Sequence, residues 1–155
     1  MTAFHTMPGY LIRRLNQIST SIFQEQMAAL GYDLTPVQFA ALVSLRDNPD
    51  IDQATLAGLI AYDRVTIGGV VDRLEAKGLV LRTVNSRDRR SRQVSLTMAG
   101  QDSLAAIIPQ VERLQADILA GLTPAERDAF IVLATKAAEA GNIRSRAPLR
   151  PRTTP

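Results

Sequence analysis

The residues best equipped to act on a partner are arginines, and they are clustered. Residues 82–92 hold Arg82, Arg87, Arg89, Arg90 and Arg92 against one acid, Asp88. A guanidinium is charged at any physiological pH and presents a planar fork of donors that matches phosphate oxygens, so such a group in a polar, turn-prone stretch points to a polyanion. A second group, Arg144, Arg146, Arg150 and Arg152, occupies residues 144–155 with no acid among them. The whole chain has 18 Lys and Arg against 15 Asp and Glu, a net charge of +3. Half of those bases sit in the two short segments, which leaves a mildly acidic body presenting two basic ones.

Catalytic chemistry has little to work with. His5 is the only histidine and there is no cysteine, which removes thiol chemistry, disulfides and Cys-ligated metals and leaves an HExxH site without residues. No carboxylate pair or nucleophile-base pair falls at usable spacing, and Gly68-Gly69 lacks the context of a phosphate-cradling loop. The expectation is a binding protein rather than an enzyme, with no cofactor and no metal.

Hydrophobic spacing says what holds the first arginine group in place. Leu79, Leu81 and Val84 begin an extended run, and Val94 and Leu96 alternate with Gln93, Ser95 and Thr97 in a second. The polar stretch between them makes the arginines the loop of a β-hairpin. Upstream, Thr35 caps a helix that has Pro36 at its first position and Val37, Phe39, Ala40, Leu42, Val43 and Leu45 inward, stopped by Asn48-Pro49-Asp50. Asp52 opens a short helix with Leu56, Leu59 and Ile60 inward. A turn near residues 61–63 then leads to another helix, which runs through Lys77, buries Ile67, Val70, Val71 and Leu74, and ends at Gly78.

Three longer helices flank this middle segment. One covers residues 10–30, with Leu11, Leu15, Ile18, Ile22, Met27 and Leu30 at helical spacing and Gly31 just beyond its end. A second follows the hairpin, with Leu104, Ile107, Ile108, Val111, Leu114 and Ile118 on one face and a kink expected at Pro109. The last starts at the capping box of Thr123, Pro124 and Glu126 and is expected to bury Phe130, Leu133 and Ala134. Residues 142–155, with Pro148, Pro151 and Pro155 and no apolar period, read as a basic tail without fixed structure.

A length of 155 residues suits one domain with a real core, and no apolar run approaches the roughly 18 residues of a membrane span. Arg13 and Arg14 interrupt the only candidate for a signal core, so a cytoplasmic protein is expected. The fold class is mainly α with a small β-hairpin. A winged helix-turn-helix occupies residues 34–97, and the N- and C-terminal helices, residues 1–33 and 98–141, form a dimerisation domain. Their apolar stripes exceed what a small wing domain could cover, and a twofold homodimer is the commonest way to bury them.

In a winged unit the second helix enters the major groove of double-stranded DNA while the wing reaches phosphates or the minor groove. That places Arg64, Val65, Thr66, Gly68, Gly69 and Asp72 on or near the outer face. Val65 and Thr66 suit a thymine methyl, and the two glycines let the backbone approach base edges. Each glycine costs about 1 kcal/mol relative to Ala in a helix, so they need a use, which is either that approach or close packing inside the protein. Arg89 and Arg90 at the wing tip suit a narrow minor groove, and Arg87 and Arg92 suit phosphates, with Asp88 pairing to a neighbouring arginine to hold the loop. Arg73 projects toward the wing base, to meet a phosphate or to pair with Asp72 or Asp88. Architectural, nonspecific DNA binding would use the same arginines without reading bases.

Leu34-Thr35-Pro36-Val37-Gln38-Phe39, the run DRVTIGGVVDRLEAKGLV from Asp63 to Val80, and DRRSRQVSLTMAG from Asp88 to Gly100 resemble the MarR family of transcriptional regulators. The resemblance covers about residues 10–140. It implies a homodimer with interlocked terminal helices, two winged units on a pseudo-palindromic operator, and often repression relieved by a small aromatic acid. Members that sense oxidants through cysteine are excluded as models, since this chain has none. The stretch Gly9-Tyr10-Leu11-Ile12-Arg13-Arg14-Leu15 and the fragment from Asp52 to Asp63 are similar to regulators of aromatic and N-heteroaromatic carboxylate catabolism, hydroxynicotinate-type repressors among them. Such an acid needs a cation for its carboxylate and an apolar wall for its ring. The family's pockets, between the first helix and the winged unit, point to Arg13 or Arg14 with Tyr10, Phe39 and Tyr62. Ordinary core packing of the aromatics and a surface ion pair for Arg14 are the plain alternatives.

Overall fold

The computed structural model describes residues 3–84 and 92–151. Four of its α-helices start on side-chain caps that satisfy the free N–H groups of a first turn. Thr35 and Gln38 form a reciprocal capping box on α2 (Pro36–Asp47), with Thr35 Oγ1 accepting the Gln38 N–H at 3.3 Å and Gln38 Oε1 accepting the Thr35 N–H at 3.2 Å. Asp52 accepts the Thr55 N–H at 2.7 Å to open α3 (Gln53–Leu59), and Thr97 accepts the Gly100 N–H at 3.0 Å to open α5 (Met98–Ile118). Thr123 and Glu126 repeat the capping box at α6 (Pro124–Gly141).

The helix ends share one device. After α1 (Pro8–Ala29), α3 and α4 (Ile67–Ala76) a residue adopts a left-handed backbone, and the next N–H turns back to a carbonyl inside the helix. The bonds are Tyr32 to Met27 at 2.9 Å, Tyr62 to Ala57 at 2.8 Å and Leu79 to Leu74 at 3.0 Å. Gly31 and Gly78 fill two of the left-handed positions without steric cost, whereas Ala61 (φ 50°) fills the third at a cost of about 1–2 kcal/mol.

The strands β1 (Ile51–Asp52), β2 (Val80–Val84) and β3 (Arg92–Leu96) form one antiparallel sheet in the order β1-β3-β2. Val80 faces Leu96, Arg82 faces Val94 and Val84 faces Arg92, so the hairpin arms are in place, and Ile51 adds a third strand opposite Val94. The phase of β2 differs from expectation. Its inward residue is Val80, while Leu81 and Val84 are exposed. Because the Leu79 N–H still closes the end of α4, the strand begins one residue later, and a one-residue shift reverses which side chains point inward.

The core joins the C-terminal half of α1, the described helices and strands of the winged unit and α5, around Met27, Leu42, Leu45, Leu56, Val71, Leu74, Leu104 and Ile107. The N-terminus of α5 lies so close to β2 that a Cβ at Gly100 would overlap the Leu79 carbonyl oxygen, which only glycine avoids. Helix α5 runs unbroken through Pro109. Two expectations of burial are corrected. None of α6 is buried, with Phe130, Leu133 and Ala134 all exposed, and Leu11, Ile18 and Leu30 of α1 are exposed as well. Residues 142–151 also depart from the unstructured tail expected: a 3₁₀ turn (Asn142–Arg144) is followed by a segment that returns to α3, where the Arg150 N–H bonds the Gly58 carbonyl oxygen at 2.8 Å. Among the described residues, no helix is long and apolar enough to cross a membrane.

Candidate nucleic-acid interface

Helix α4 is amphipathic, with Ile67, Val70, Val71 and Leu74 buried and Gly69, Asp72 and Arg73 on the outer side. The helix starts later than its hydrophobic spacing suggests. Arg64, Val65 and Thr66 form a turn before it, pinned by Asp63: its side chain accepts the Val65 N–H at 2.7 Å, and its carbonyl accepts the Ile67 N–H at 3.0 Å. The Val65 N–H, chiefly, holds the Asp63 carboxyl below its ordinary pKa, helped by the nearby Arg146 guanidinium. The stabilisation this gives is present above the ordinary aspartate pKa and is lost as pH falls through the lowered value.

The turn and helix together present a small, uncharged surface. Val65 is 91% exposed, and Arg64 and Thr66 are exposed beside it. A Cβ at Gly69 would meet nothing within 4 Å, and one at Gly68 would make only an ordinary contact with Gln53. Packing inside the protein therefore requires neither glycine. Arg73 is exposed and has no ion pair among the described residues, because Asp72 pairs with Arg82 instead. Arg92 is exposed at the start of β3. Arg87, Arg89 and Arg90, with Asp88, lie outside the described residues.

Arg82 behaves unlike Arg92, the other described arginine of the hairpin segment. Its side chain is 14% exposed and points back onto α4, bonding Asp72 at 2.5 Å, Glu75 at 2.7 Å, Gln53 Oε1 at 2.9 Å and the Gly68 carbonyl at 3.3 Å. It fixes the base of the wing against the helix. Position-by-position alternation could have found it, since with Val80 inward Arg82 must point inward too.

A short helix braced to a two-stranded arm is also the arrangement of known regulators. The model of the MarR family matches residues 34–91. The HTH-type transcriptional repressor NicR of Pseudomonas putida is 38% identical over 128 residues, covering 83% of this chain and 80% of NicR. The chain belongs to the MarR family. It is a MarR-type transcriptional regulator. Among solved structures, BpsR of Bordetella bronchiseptica, whose DNA binding is regulated by 6-hydroxynicotinic acid, superposes with a TM-score of 0.80 at 32% identity, over 89% of this chain and 97% of BpsR. The transcriptional repressor CouR bound to a 23-mer DNA duplex gives 0.77 at 28% identity, over 89% of this chain and 96% of CouR.

Of the residues that the MarR resemblance suggests for an acidic effector, the fold gathers three. The guanidinium carbons of Arg13 and Arg14 stand 5.3 and 5.9 Å from the centre of the Tyr10 ring, where a cation is attracted to the ring face. Phe4 and His5 pack against the same ring, at 4.7 and 5.3 Å. Phe39 does not join them. It packs on Phe23 at 5.8 Å, and Phe23 follows Tyr10 by 13 residues, about 20 Å along α1 at the helical rise. Tyr62 lies at the end of α3 beside the C-terminal segment, again apart from the cluster. A further recess of about 460 Å³, which residue spacing did not suggest, opens between the end of α2, β3 and α5, lined by Leu45, Arg46, Leu96, Gln101, Leu104 and Ile108 among others.

Proposed function

We propose that this MarR-type regulator is a repressor that binds a pseudo-palindromic operator as a homodimer and is released by a small aromatic or N-heteroaromatic carboxylate. The observation that carries the DNA half is the face of Val65, Thr66 and Gly69, exposed and uncharged, with half-buried Gly68 beside them, free of demands from the protein's own packing and bordered in sequence by the exposed Arg64 and Arg73. Small groups at a helix N-terminus suit base edges, and the arginines around them suit phosphates. Arg87, Arg89 and Arg90 extend that charge along the wing sequence.

The homodimer is supported by the uncovered apolar faces of α6 and of the start of α1, which a twofold partner would bury. The effector reading rests on Tyr10, Arg13 and Arg14: the guanidiniums answer a carboxylate and the ring offers an aromatic wall. The kinship with BpsR favours hydroxynicotinate-like acids as the class. An acid relieves repression only through its differential affinity for the DNA-competent and incompetent dimer geometries.

Fluorescence anisotropy with the DNA upstream of the protein's own gene tests both halves. Tight binding that resists random competitor DNA, and that 6-hydroxynicotinic acid or a related aromatic acid releases, is the expected result. Binding displaced equally by any DNA would replace operator recognition with architectural binding. Operator binding indifferent to a broad panel of aromatic acids would remove the effector and leave the repressor.

A further inference from the structure

We propose that the C-terminal segment is part of the DNA interface, with Arg146 and Arg150 joining Arg64 to hold a backbone phosphate beside the reading turn. This rests on the reading of the α4 face as the DNA-binding surface.

The segment is anchored rather than loose. Asn142 clamps Leu149 from both sides, its Nδ2 donating to the Leu149 carbonyl at 3.0 Å and its Oδ1 accepting the Leu149 N–H at 2.7 Å. The next residue donates its N–H at 2.8 Å to the Gly58 carbonyl, which also accepts the Ala61 N–H at 3.3 Å at the end of α3. A Cβ at Gly58 would stand only 3.2 Å from the Arg150 Cβ, so the absent side chain lets the segment lie close.

The anchoring delivers charge to one place. Arg146 reaches Asp63 at 2.9 Å, and the same carboxylate holds the Val65 N–H, so a single side chain positions both the reading turn and the tail. Tyr62, Asp63, Arg64, Val65, Arg146 and Arg150 all line one recess of about 260 Å³. Three arginines line the recess against one carboxylate that is already engaged, which leaves the recess with an excess of positive charge. The Arg146 side chain is 84% exposed despite its ion pair, so its remaining donors face solvent. Val65 borders the recess and also belongs to the proposed base-reading surface, so a duplex seated on that surface brings its backbone past these arginines. Such interactions position a protein on DNA without reading sequence.

The test compares full-length wild type, the double variant Arg146→Gln/Arg150→Gln, and Arg144→Gln, an exposed residue of the preceding turn that does not line the recess. Arg146 and Arg150 are exposed, so the double variant folds. Anisotropy is measured on the upstream duplex and on a scrambled duplex across about 50 to 200 mM salt. The double variant is expected to weaken binding to both duplexes alike. Its log-log salt slope should fall by about 0.9 for each engaged protomer, the value of one phosphate no longer neutralised. Arg144→Gln is expected to keep the wild-type slope. An unchanged slope in the double variant, or an equal fall in Arg144→Gln, overturns the proposal. A wild type that prefers neither duplex sinks operator recognition alone, because the slope still reports the neutralised phosphates. Wild type that binds neither duplex overturns both readings.

Discussion

The winged unit and α6 are built from similar residues and end up in opposite environments. From Pro36 to Leu96 the apolar side chains close a core, with Leu42, Leu56, Val71, Leu74 and Val94 fully out of solvent. Helix α6 carries Phe130, Ile131, Val132 and Leu133 in one run, and solvent reaches all four. Both segments begin with a Thr-Pro capping box, so local helix chemistry does not separate them. The difference is tertiary. A run of four consecutive apolar residues wraps around more than one face of a helix, so no single neighbouring surface in the chain could cover it. The winged unit closes its core within one chain, together with α5 and the end of α1, whereas the apolar run of α6 is left uncovered there.

The sharpest way to break that contrast is Leu133→Asp. Fully burying a leucine is worth about 1.5–3 kcal/mol, and a twofold interface counts each substitution twice. The proposed homodimer is therefore expected to lose on the order of 3–6 kcal/mol and to sediment with the mass of a single chain, while thermal unfolding of the winged unit persists. An unchanged mass would mean that the partner covers another face.

Arg82→Ala sharpens the same contrast from the side of the winged unit. Its partners Asp72 and Glu75 are 66% and 40% exposed, so water screens the pairs, and the loss of stability should be about 1–2 kcal/mol rather than that of a buried ion pair. Because Arg82 also bonds Gln53 and the Gly68 carbonyl, its loss frees the wing from α4. Operator affinity is expected to fall further than denaturant titration alone would account for. Arg82→Lys should rescue little of it, since an ammonium cannot span four partners held by a planar fork.

What could be read from the sequence follows from the range over which the physics acts. Caps are local, and Thr35-Pro36-Gln38, Asp52 and Thr123-Pro124-Glu126 announced their helices correctly. The hairpin was legible as two extended runs, but its phase depended on a bond from Leu79 back to Leu74 that no alternation of residue types displays. Two-residue β1 is too short to have a period and exists only because β3 pairs with it. Within the candidate site, the outward placement of Val65, Thr66 and Gly69 was readable from which of their neighbours had to be buried. The inward turn of Arg82 was hidden by counting it as charge, and the docking of the tail was hidden because its anchors, Gly58, Asp63 and Asn142, are scattered and polar. Phe39 and Tyr62 are aromatic residues of an effector-binding kind placed by the core and by the end of α3, and neither makes a ring contact with Tyr10.

The smallest effect is the most discriminating, because it makes one chemical change in both regions. Thr35→Ala and Thr123→Ala each remove a hydroxyl that accepts an N–H from the first turn of a helix, from Gln38 at 3.3 Å and from Glu126 at 3.4 Å. Such a loss is typically worth about 1 kcal/mol. At Thr35 the helix belongs to the closed core, where Ala41, Leu42 and Leu45 are buried, so the loss should appear as a lower midpoint in chemical denaturation with an unchanged slope. At Thr123 the helix has no buried residue of its own, and fraying its first turn takes nothing from the core. There the same 1 kcal/mol per chain is expected in the dimer dissociation constant, about 2 kcal/mol or roughly thirtyfold over the two ends of the twofold interface, with the denaturation midpoint of the winged unit held. If both variants lowered the midpoint equally and neither touched association, α6 would be part of the same cooperative unit as the wing, and the division between a complete region and an incomplete one would fail.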